Sequence, residues 1–318
     1  MEAKTFKYNP LVTIIIPVYN GGQFLRYAID SALEQDYENK EILVISDGST
    51  DDSDEIAKGY GDKIRFIRKE NGGVSSVLNM AIAEMKGSWL SWLSHDDTYA
   101  TDKISSQIAL INELIEKEDG KDAEKYVICC ANDRIDANGN TVKRKIKYGR
   151  NFDNPNDMLI SQIGNYTIGG CCVLASRSAY IKEGGFNEKN RTCSDAEMWY
   201  KLILDGYKFV FLKKVSVHSR QHKGMVSVTK RELCISEGEE LHGKVFDAAC
   251  EKGFTEKEVY RLLCALSARG YGKVAKTKLK KSKITFAHRA VFAINNFFCN
   301  VKKLIIDCLR KIYRKIKY

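Results

Sequence analysis

The chain has 318 residues, of which 44% are hydrophobic and 29% charged, a composition that excludes intrinsic disorder and fits one large domain with an appendage. It contains no uncharged apolar run of about 18 residues, the length that predicts a membrane-spanning helix. The first ten residues also lack the apolar core of a signal peptide, so the sequence predicts a cytoplasmic protein.

The net charge of +10 is concentrated near the C-terminus. Residues 272–318 contain 14 lysines and arginines and a single acid, Asp307, which leaves the preceding part of the chain mildly acidic. The main body therefore has the charge of an ordinary soluble enzyme. No nucleic-acid motif accompanies the basic segment, so no nucleic-acid partner is predicted.

Ten cysteines are present, but they do not indicate a disulfide scaffold, because that interpretation applies to short secreted chains. No CxxC pair occurs. Cys129, Cys130, Cys171 and Cys172 lie in apolar runs, so we predict that they are reduced, buried and without a metal or redox function.

Apolar runs typical of buried strands alternate with helical patterns in the first part of the chain. In order, they predict a strand at 11–17, a helix over 24–33, a strand at 41–45, a helix near 54–58, a strand at 64–67, a helix over 74–85 and a strand at 89–93. This alternation predicts an α/β fold with a mostly parallel central sheet and helices on both faces.

The pattern changes from about Tyr126, where we expect shorter strands, and Asn138-Gly139 is a strong hairpin signal. Beyond about Ser227 the sequence indicates helices only. We therefore predict a main α/β domain over residues 1–227 and a helical C-terminal region over 228–318.

Polar residues follow the predicted strands at their carboxyl ends, where open α/β sheets bind ligands. These ends read Pro17-Val18-Tyr19-Asn20, Ser46-Asp47-Gly48-Ser49 and Ser94-His95-Asp96-Asp97. Adjacent carboxylates such as Asp96 and Asp97 repel each other unless a cation lies between them, so the pair is a candidate metal site. Turn formation or helix capping is the competing interpretation. Neither GxGxxG nor GxxxxGK[ST] is present to indicate another nucleotide-binding fold.

Several separate motifs occur in the order found in one enzyme family. They are the strand ending in Pro17-Val18-Tyr19-Asn20, EILVISDGSTDDS at 41–53, NGGVS at 71–75 with Asn79, SHDDTY at 94–99, GGFNE at 184–188 and SDAEMWYKL at 194–202. From Phe6 to about Ser227 the chain thus resembles the family 2 glycosyltransferases, which have the Rossmann-like GT-A fold. The resemblance implies an inverting enzyme of the hexosyltransferase type that uses a UDP-sugar.

By resemblance, one group of residues binds the donor nucleotide. These residues are Pro17, Tyr19 and Asn20 around the nucleobase, and Asn71 and Asn79 in the next donor-side loop. Asp47 is implied to accept a hydrogen bond from the uracil ring nitrogen. A plain turn residue before Gly48 is the competing interpretation for Asp47.

The resemblance also implies a divalent cofactor, Mn2+ or Mg2+. Asp96 is implied as its first ligand, Asp97 as a neighbour that also places the donor, and His222 as a further ligand. Arg220 and Lys223 are implied to approach the diphosphate, as arginine and lysine suit phosphate oxygens. For His222 the competing interpretation is a surface residue. Many relatives carry an acid where this chain has Ser46 and Ser94, and the serine at 94 leaves metal binding to the aspartates.

Asp195 occupies the position of the family's general base, directly ahead of an amphipathic helical pattern. In an inverting reaction this carboxylate takes the proton of the acceptor hydroxyl while the oxygen attacks the sugar. A helix N-cap is the competing interpretation. Ser194 replaces a common glutamate, which leaves Asp195 as the acid at this point.

The C-terminal basic segment has the pattern of an amphipathic helix. Its apolar positions are Val291, Ile294, Phe298, Val301, Ile305, Cys308, Ile312 and Ile316, and its basic stripe is Lys303, Arg310, Arg314 and Lys317. Such a helix fits the surface of an anionic membrane. A helix packed on the main domain is the competing interpretation.

The motifs and the tail together predict a transferase that extends a cell-surface glycan, with a saccharide or lipid-linked acceptor, at the inner face of the cell membrane. A nucleotidyltransferase and a nucleotide-sugar-binding module without catalysis are the alternatives. A nucleotidyltransferase is expected to carry a basic, glycine-rich loop after the first strand, and the sequence NGGQF at 20–24 has no basic residue. The serines at 46 and 94 keep the second alternative open.

Overall fold

In a computed structural model of the chain, residues 6–117, 122–142, 146, 148–164, 167–282, 284, 285, 288, 289, 291–293, 295 and 296 are described. Contacts divide the chain into two compact units. The first contains the described residues up to Phe152 together with Ile168–Cys234, and the second contains those of Asp153–Thr167 and those from Ile235 onward. The domain boundary predicted after residue 227 stays a prediction.

The first unit is built on a sheet that has eight strands within the described residues. These are β1 (Val12–Val18), β2 (Lys40–Asp47), β3 (Arg65–Lys69), β4 (Trp89–Trp92), β5 (Thr98–Tyr99), β6 (Tyr126–Ile135), β7 (Val173–Ser176) and β8 (Lys208–Arg220). They lie in the order β3-β2-β1-β4-β7-β6-β8-β5. The predicted α/β fold is confirmed.

One half of the sheet, from β3 to β4, is entirely parallel. β1 pairs with both β2 and β4, and β2 pairs with β3. Every residue of β1 is buried, because its β-branched side chains cover both faces of a central strand. The strands and helices predicted over this half agree with the observed bounds to within two residues at each end.

The other half of the sheet is mixed. β7 is antiparallel to β4 and β6, β8 is parallel to β6, and β5 is antiparallel to β8. The expectation of shorter strands after Tyr126 holds for β7, which has 4 residues, and is wrong for β6, which has 10, and for β8, which has 13. Register shifts between Cys129 and Asn132 interrupt the two-residue alternation and break the sequence pattern of β6. The predicted turn at Asn138-Gly139 is present, and an isolated antiparallel bridge joins Ile135 and Thr141.

Helices follow the strands along the chain and continue to the end of the described residues. They are α1 (Gly22–Leu33), α2 (Ser53–Lys58), α3 (Val74–Glu84), α4 (Lys103–Lys117), α5 (Pro155–Gly164), α6 (Arg177–Lys182), α7 (Ser194–Leu204), α8 (Val226–Thr229), α9 (Arg231–Glu251), α10 (Glu256–Arg269) and α11 (Gly272–Lys281). In the first unit, α1 and α3 pack on β1 and β2, and α4 packs on β6 and β8.

The second unit is helical, and α10 packs against α5 and α11. A capping box begins α10: the Glu258 N–H donates to Thr255 Oγ1, and the Thr255 N–H donates to Glu258 Oε2. No helix in the described part of the chain is long and apolar enough to cross a membrane. In the predicted basic amphipathic helix, Ile294 and all positions from 297 onward lie outside the described residues.

Candidate active site

The carboxyl ends of β1, β2 and β4 bring three of the predicted motifs to one edge of the sheet. These strands are parallel neighbours, so the segments after Val18, Asp47 and Trp92 all begin at that edge. Asn20, with a φ of 49°, accepts a hydrogen bond at Oδ1 from the Thr50 N–H at 2.8 Å. The end of β1 is thus joined to the loop after β2.

Asp47 is 3% exposed, and its carboxylate organises the next loop. Oδ1 accepts hydrogen bonds from Lys69 Nζ at 2.9 Å and from the Gly72 N–H at 2.8 Å, and Oδ2 accepts one from the Gly73 N–H at 2.7 Å. Asn71 donates from Nδ2 to the Asp47 carbonyl at 3.0 Å. A carboxylate accepts about four hydrogen bonds, so contacts within the protein take up three of the acceptor positions of Asp47.

The predicted nucleobase residues at the end of β1 differ in exposure. Tyr19 is 49% exposed, so its ring is open to a stacking partner. Pro17 is buried in β1, and its carbonyl lies 3.3 Å from His95 Nδ1. The His95 ring also covers Gly21, where a Cβ atom would lie 2.1 Å from the ring. His95, for which no role was predicted, therefore connects the end of β1 to the turn after β4.

Asp97 lies in a dense set of contacts between the turn after β4 and two other segments. Its Oδ1 accepts a hydrogen bond from the Arg220 N–H at 2.9 Å, and its Oδ2 lies 3.4 Å from the Cys171 thiol, which donates to it. The Ser94 hydroxyl lies 3.3 Å from the same sulfur. Burial and the neighbouring charge of Asp96 raise the pKa of Asp97 to about 7, against the opposing effect of the Arg220 contact.

Asp96 faces His222. Oδ2 of Asp96 lies 2.9 Å from Nε2 of His222, and the two side chains are 20% and 18% exposed. The His222 ring packs on Phe24 with 4.9 Å between ring centroids, and its Nδ1 accepts a hydrogen bond from the Gly224 N–H at 3.2 Å. His222 therefore lies beside the aspartate pair, although Lys223 and Gly224, which follow it, are exposed.

Arg220 is 3% exposed and contacts the backbone of Asp96. Its Nε donates to the Asp96 carbonyl at 3.0 Å, and its Nη1 donates to the carbonyls of Asp136 and Ala137 at 3.3 and 3.0 Å. The guanidinium carbon lies 5.0 Å from the ring centroids of both Phe24 and Tyr27. The predicted phosphate-binding arginine is thus held by protein carbonyls and rings, and its neighbour Lys223 is exposed.

Asp195 is the second residue of α7, whose N-cap, Cys193, makes no side-chain capping bond. Oδ1 of Asp195 accepts from the Ala196 N–H at 2.7 Å, and the carboxylate also accepts from the Gly170 N–H. Burial raises the pKa of Asp195 above its usual 3.8, with the backbone donors opposing. Its position inside the first turn makes the simple N-cap interpretation wrong.

Asp195 and Asp97 are linked through two consecutive residues. Gly170 donates its N–H to Asp195, and the thiol of the next residue, Cys171, donates to Asp97. At Gly170 a Cβ atom would lie 2.5 Å from the Trp92 ring, so the turn is packed tightly there. The candidate base and the aspartate pair therefore share one support.

The loop before α7 is fixed by residues on two helices. Asn79 donates from Nδ2 to the Phe186 carbonyl and to Glu188 Oε1, both at 2.9 Å, and accepts from the Phe186 N–H at 2.7 Å. Glu197 accepts from the amides of Asn187 and Asn190 at 3.0 to 3.2 Å. Asn79, predicted at the donor side, is thus engaged with the loop that leads to Asp195.

Sequence reasoning missed three contacts of this site. Cys171 is buried and forms no disulfide, as predicted, but it contacts Asp97 and so does more than fill space. Glu197 and Gly170 were not singled out. The sequence signals for these residues were weak. Glu197 lies two residues after Asp195 in α7, and Gly170 belongs to a pair of glycines before an apolar strand.

The chain matches the family model described as Glycosyl transferase family 2 over residues 13–184, more than half of its length. The chain therefore belongs to glycosyl transferase family 2, and the resemblance found in its motifs is confirmed. It is a glycosyltransferase with the GT-A fold.

Curated relatives agree with this assignment. The chain is 34% identical over 313 residues to an uncharacterised glycosyltransferase of Rickettsia prowazekii, an alignment that covers 96% of this chain and 92% of the relative. It is 30% identical over 224 residues to the hyaluronan synthase of Pasteurella multocida, which covers 70% of this chain and 21% of that protein. The chain thus corresponds to about a fifth of that synthase.

Solved structures show the same fold at low sequence identity. S. aureus TarS in complex with UDP-GlcNAc superposes with a TM-score of 0.63 at 15% identity, covering 89% of this chain and 79% of that one. The mannosyltransferase PcManGT from Pyrobaculum calidifontis, in complex with GDP-Man and Mn2+, superposes with a TM-score of 0.54 at 16% identity, covering 95% and 90%.

Proposed function

We propose that this glycosyltransferase is an inverting enzyme that transfers a sugar from a UDP-sugar to a glycan or lipid-linked saccharide. The observation that supports this most is the pair formed by Asp96 and His222, with 2.9 Å between Oδ2 and Nε2, beside the buried Asp97. A carboxylate and an imidazole at a strand end can hold a divalent ion whose remaining positions are filled by diphosphate oxygens and water.

The donor set fits Mn2+ or Mg2+. Magnesium usually binds through one or two carboxylates plus substrate phosphates, and keeps several waters. Among the residues that the structure describes, no three His, Cys, Asp or Glu side chains surround a common point. We therefore propose Asp96 and His222 as the ligands, with Asp97 beside them, and an ion completed by the donor. Binding through Nε2 requires the tautomer with its proton on Nδ1, so the hydrogen bond from the Gly224 N–H to Nδ1 would be given up. When bound, the ion would neutralise the diphosphate leaving group.

The proposed donor site extends along the strand ends. The fourth acceptor position of the Asp47 carboxylate suits the ring N–H of uracil, and the exposed ring of Tyr19 suits stacking on the base. Pro17, Asn20, Asn71 and Asn79 complete this side of the site. Lys223 is exposed next to His222 and is proposed to approach the diphosphate. Similar structures that hold UDP-GlcNAc and GDP-Man support a nucleotide-sugar donor.

Asp195 is the proposed general base. Its raised pKa keeps it a better proton acceptor than an ordinary aspartate, while two backbone N–H groups hold the carboxylate in place. In the proposed step the acceptor oxygen bonds to C1 of the sugar, the bond from C1 to the diphosphate oxygen breaks, and Asp195 takes the hydroxyl proton. The nucleoside diphosphate leaves from the opposite face, which inverts the anomeric centre.

The proposal includes a location at the cytoplasmic face of a membrane. It rests on the basic C-terminal segment, whose 14 cations and single acid suit anionic lipid headgroups. A lipid-linked acceptor would make such attachment useful, because enzyme and acceptor would meet in two dimensions.

A thermal-shift screen tests the donor assignment. UDP-sugars with Mn2+ are expected to raise the melting temperature of the protein, and GDP-sugars are not, because Asp47 matches the uracil edge. Stabilisation by GDP-sugars alone would overturn the donor. For catalysis, Asp195→Asn is expected to abolish UDP release while stabilisation by UDP persists. Asp205→Asn, at the other end of α7, is the matched control and keeps activity.

A further inference from the structure

Arg220 joins three segments that are far apart in the sequence. Its own N–H and Nε bind the turn that carries Asp96 and Asp97, at 2.9 and 3.0 Å. Its Nη1 binds the carbonyls of Asp136 and Ala137, at 3.3 and 3.0 Å, in the hairpin turn between β6 and Thr141.

The two rings of α1 fix the guanidinium in place. Its carbon lies 5.0 Å from the centroids of both Phe24 and Tyr27, and Phe24 also packs on the metal-site histidine His222 at 4.9 Å. Cation–π contacts of this kind are strongest where water is excluded, and Arg220 is 3% exposed. The planar guanidinium of arginine, with several N–H donors in fixed directions, suits this position, whereas the ammonium group of lysine does not.

We propose that Arg220 is a positioning residue: it holds the Asp96-Asp97 turn in its active geometry by fastening it to the hairpin turn at residues 136–140. The proposal replaces the expectation that Arg220 binds the diphosphate. It also predicts that the hairpin, although on the surface, contributes to catalysis. It rests on the proposed function for its kinetic readout only.

Hydrogen exchange tests the link in the full chain without any donor. Arg220→Lys is expected to speed amide exchange in both 94–98 and 136–140, and to leave the Asp47 loop at 71–73 unchanged. The matched control is Arg150→Lys, since the Arg150 guanidinium also lies over an aromatic ring, 5.1 Å from the centroid of Phe152, and makes no contact with the site. Unchanged exchange in 94–98 would overturn the proposal, whatever the donor proves to be.

Kinetics separate positioning from phosphate binding. With a positioning role, Arg220→Lys lowers kcat by about tenfold or more while KM for the donor stays within about twofold, because the lost geometry matters in the transition state. The ratio of UDP to uridine affinity, measured without a divalent ion, is expected to stay the same. A drop in that ratio with kcat intact would assign Arg220 to the diphosphate.

A second variant, at Asp136, tests the same link between the hairpin turn and the Asp96-Asp97 turn. The Asp136 carboxylate holds the hairpin turn by accepting from the N–H groups of Asn138 and Asn140, both at 2.9 Å. Asp136→Ala is expected to loosen this turn, to speed exchange in 94–98 and to lower kcat by about threefold. If it loosens only the hairpin and leaves 94–98 and kcat unchanged, the coupling through Arg220 is absent.

Discussion

His222 and Asp96, which are 126 positions apart in the sequence, meet at 2.9 Å between Nε2 and Oδ2. The contact joins the segment after β8 to the turn after β4, across the mixed half of the sheet. Both side chains are about one-fifth exposed, so a ligand can reach them from solvent. If the pair holds the proposed ion, metal binding depends on both side chains.

His222→Ala is expected to raise the Mn2+ concentration needed for half-maximal transfer by at least about tenfold, since the ion loses one of two protein ligands. Saturating Mn2+ is expected to restore part of the activity, because Asp96 and the diphosphate remain. The measurement is a metal titration of UDP release at fixed donor concentration.

The matched control is His218→Ala. His218 forms its own pair with Asp133, at 2.7 Å between Nδ1 and Oδ1, four residues before His222 on the same segment. Its loss is expected to leave the metal requirement unchanged. A similar rise in both variants would point to a general loosening of β8 and against His222 as a ligand.

Asp195 gives a prediction on pH. Burial raises the pKa of this carboxyl above 3.8, and a general base must be unprotonated to accept the acceptor proton. The value of kcat/KM is therefore expected to fall as the pH drops through the raised pKa, in a range above that of an ordinary aspartate. The profile is measured at saturating metal, with donor binding followed in parallel. An acid limb at or below about pH 4 would contradict the raised pKa.

The sequence predicted the parallel half of the sheet well and the rest less well, for a physical reason. β1, β2 and β4 are buried on both faces, so their composition alone marks them as strands. β6 contains register shifts, and such shifts depend on the partner strand β8, which lies more than 70 residues away. Pairing between strands so far apart in the sequence leaves no signal in the local sequence pattern.

The candidate site, like the sheet, could be predicted from the sequence only in part. The carboxylates Asp47, Asp96, Asp97 and Asp195 could be proposed from the sequence because their motifs are local. The contacts that hold Asp97 were not predicted, because their partners are distant in the sequence. The thiol of Cys171 is 74 positions from Asp97, and the N–H of Arg220 is 123 positions from it. A buried cysteine in an apolar run looks like core packing until the fold brings a carboxylate to it.

The basic C-terminal segment gives a prediction on membrane binding. Deletion of residues 297–318, which leaves the buried Phe292 and Asn296 in place, is expected to release the protein from vesicles that contain anionic lipid, while hydrolysis of the donor continues. The reason is electrostatic, since each lysine or arginine near an anionic surface contributes about 1 kcal/mol. Binding to neutral vesicles is the control. Unchanged binding of the truncated protein to anionic vesicles would refute the role of the tail.

Glu41 on β2 gives a prediction on stability. Its side chain is 13% exposed, and Oε1 accepts hydrogen bonds from Thr13 Oγ1 at 2.5 Å and from the N–H groups of Lys86 and Gly87 at 2.5 and 3.1 Å. Arg65 donates to Oε2 at 3.2 Å. Burial by itself raises the pKa of Glu41, but these donors outweigh it and lower the pKa below 4.5.

Glu41→Gln is expected to reduce the free energy of unfolding by about 2 kcal/mol at pH 7, because the amide places an NH2 group against donors that need an acceptor. Since the folded-state pKa is depressed, the contribution of the carboxylate is present above its unfolded pKa and is lost as the pH falls through the folded one. The difference between wild type and variant, measured by urea unfolding, is therefore expected to shrink below about pH 4.5.

Glu84→Gln separates this effect from simple loss of a charge. Glu84 also pairs with Arg65, at 3.5 Å, but its side chain is 51% exposed and the pair is a surface one. Its replacement is expected to cost less than about 1 kcal/mol at any pH, because solvent screens exposed pairs. If both variants lose the same stability, the donors around Glu41 add nothing beyond the ion pair. A larger, pH-dependent loss for Glu41 alone identifies the buried hydrogen bonds to Thr13 and the 86–87 turn as the stabilising contacts.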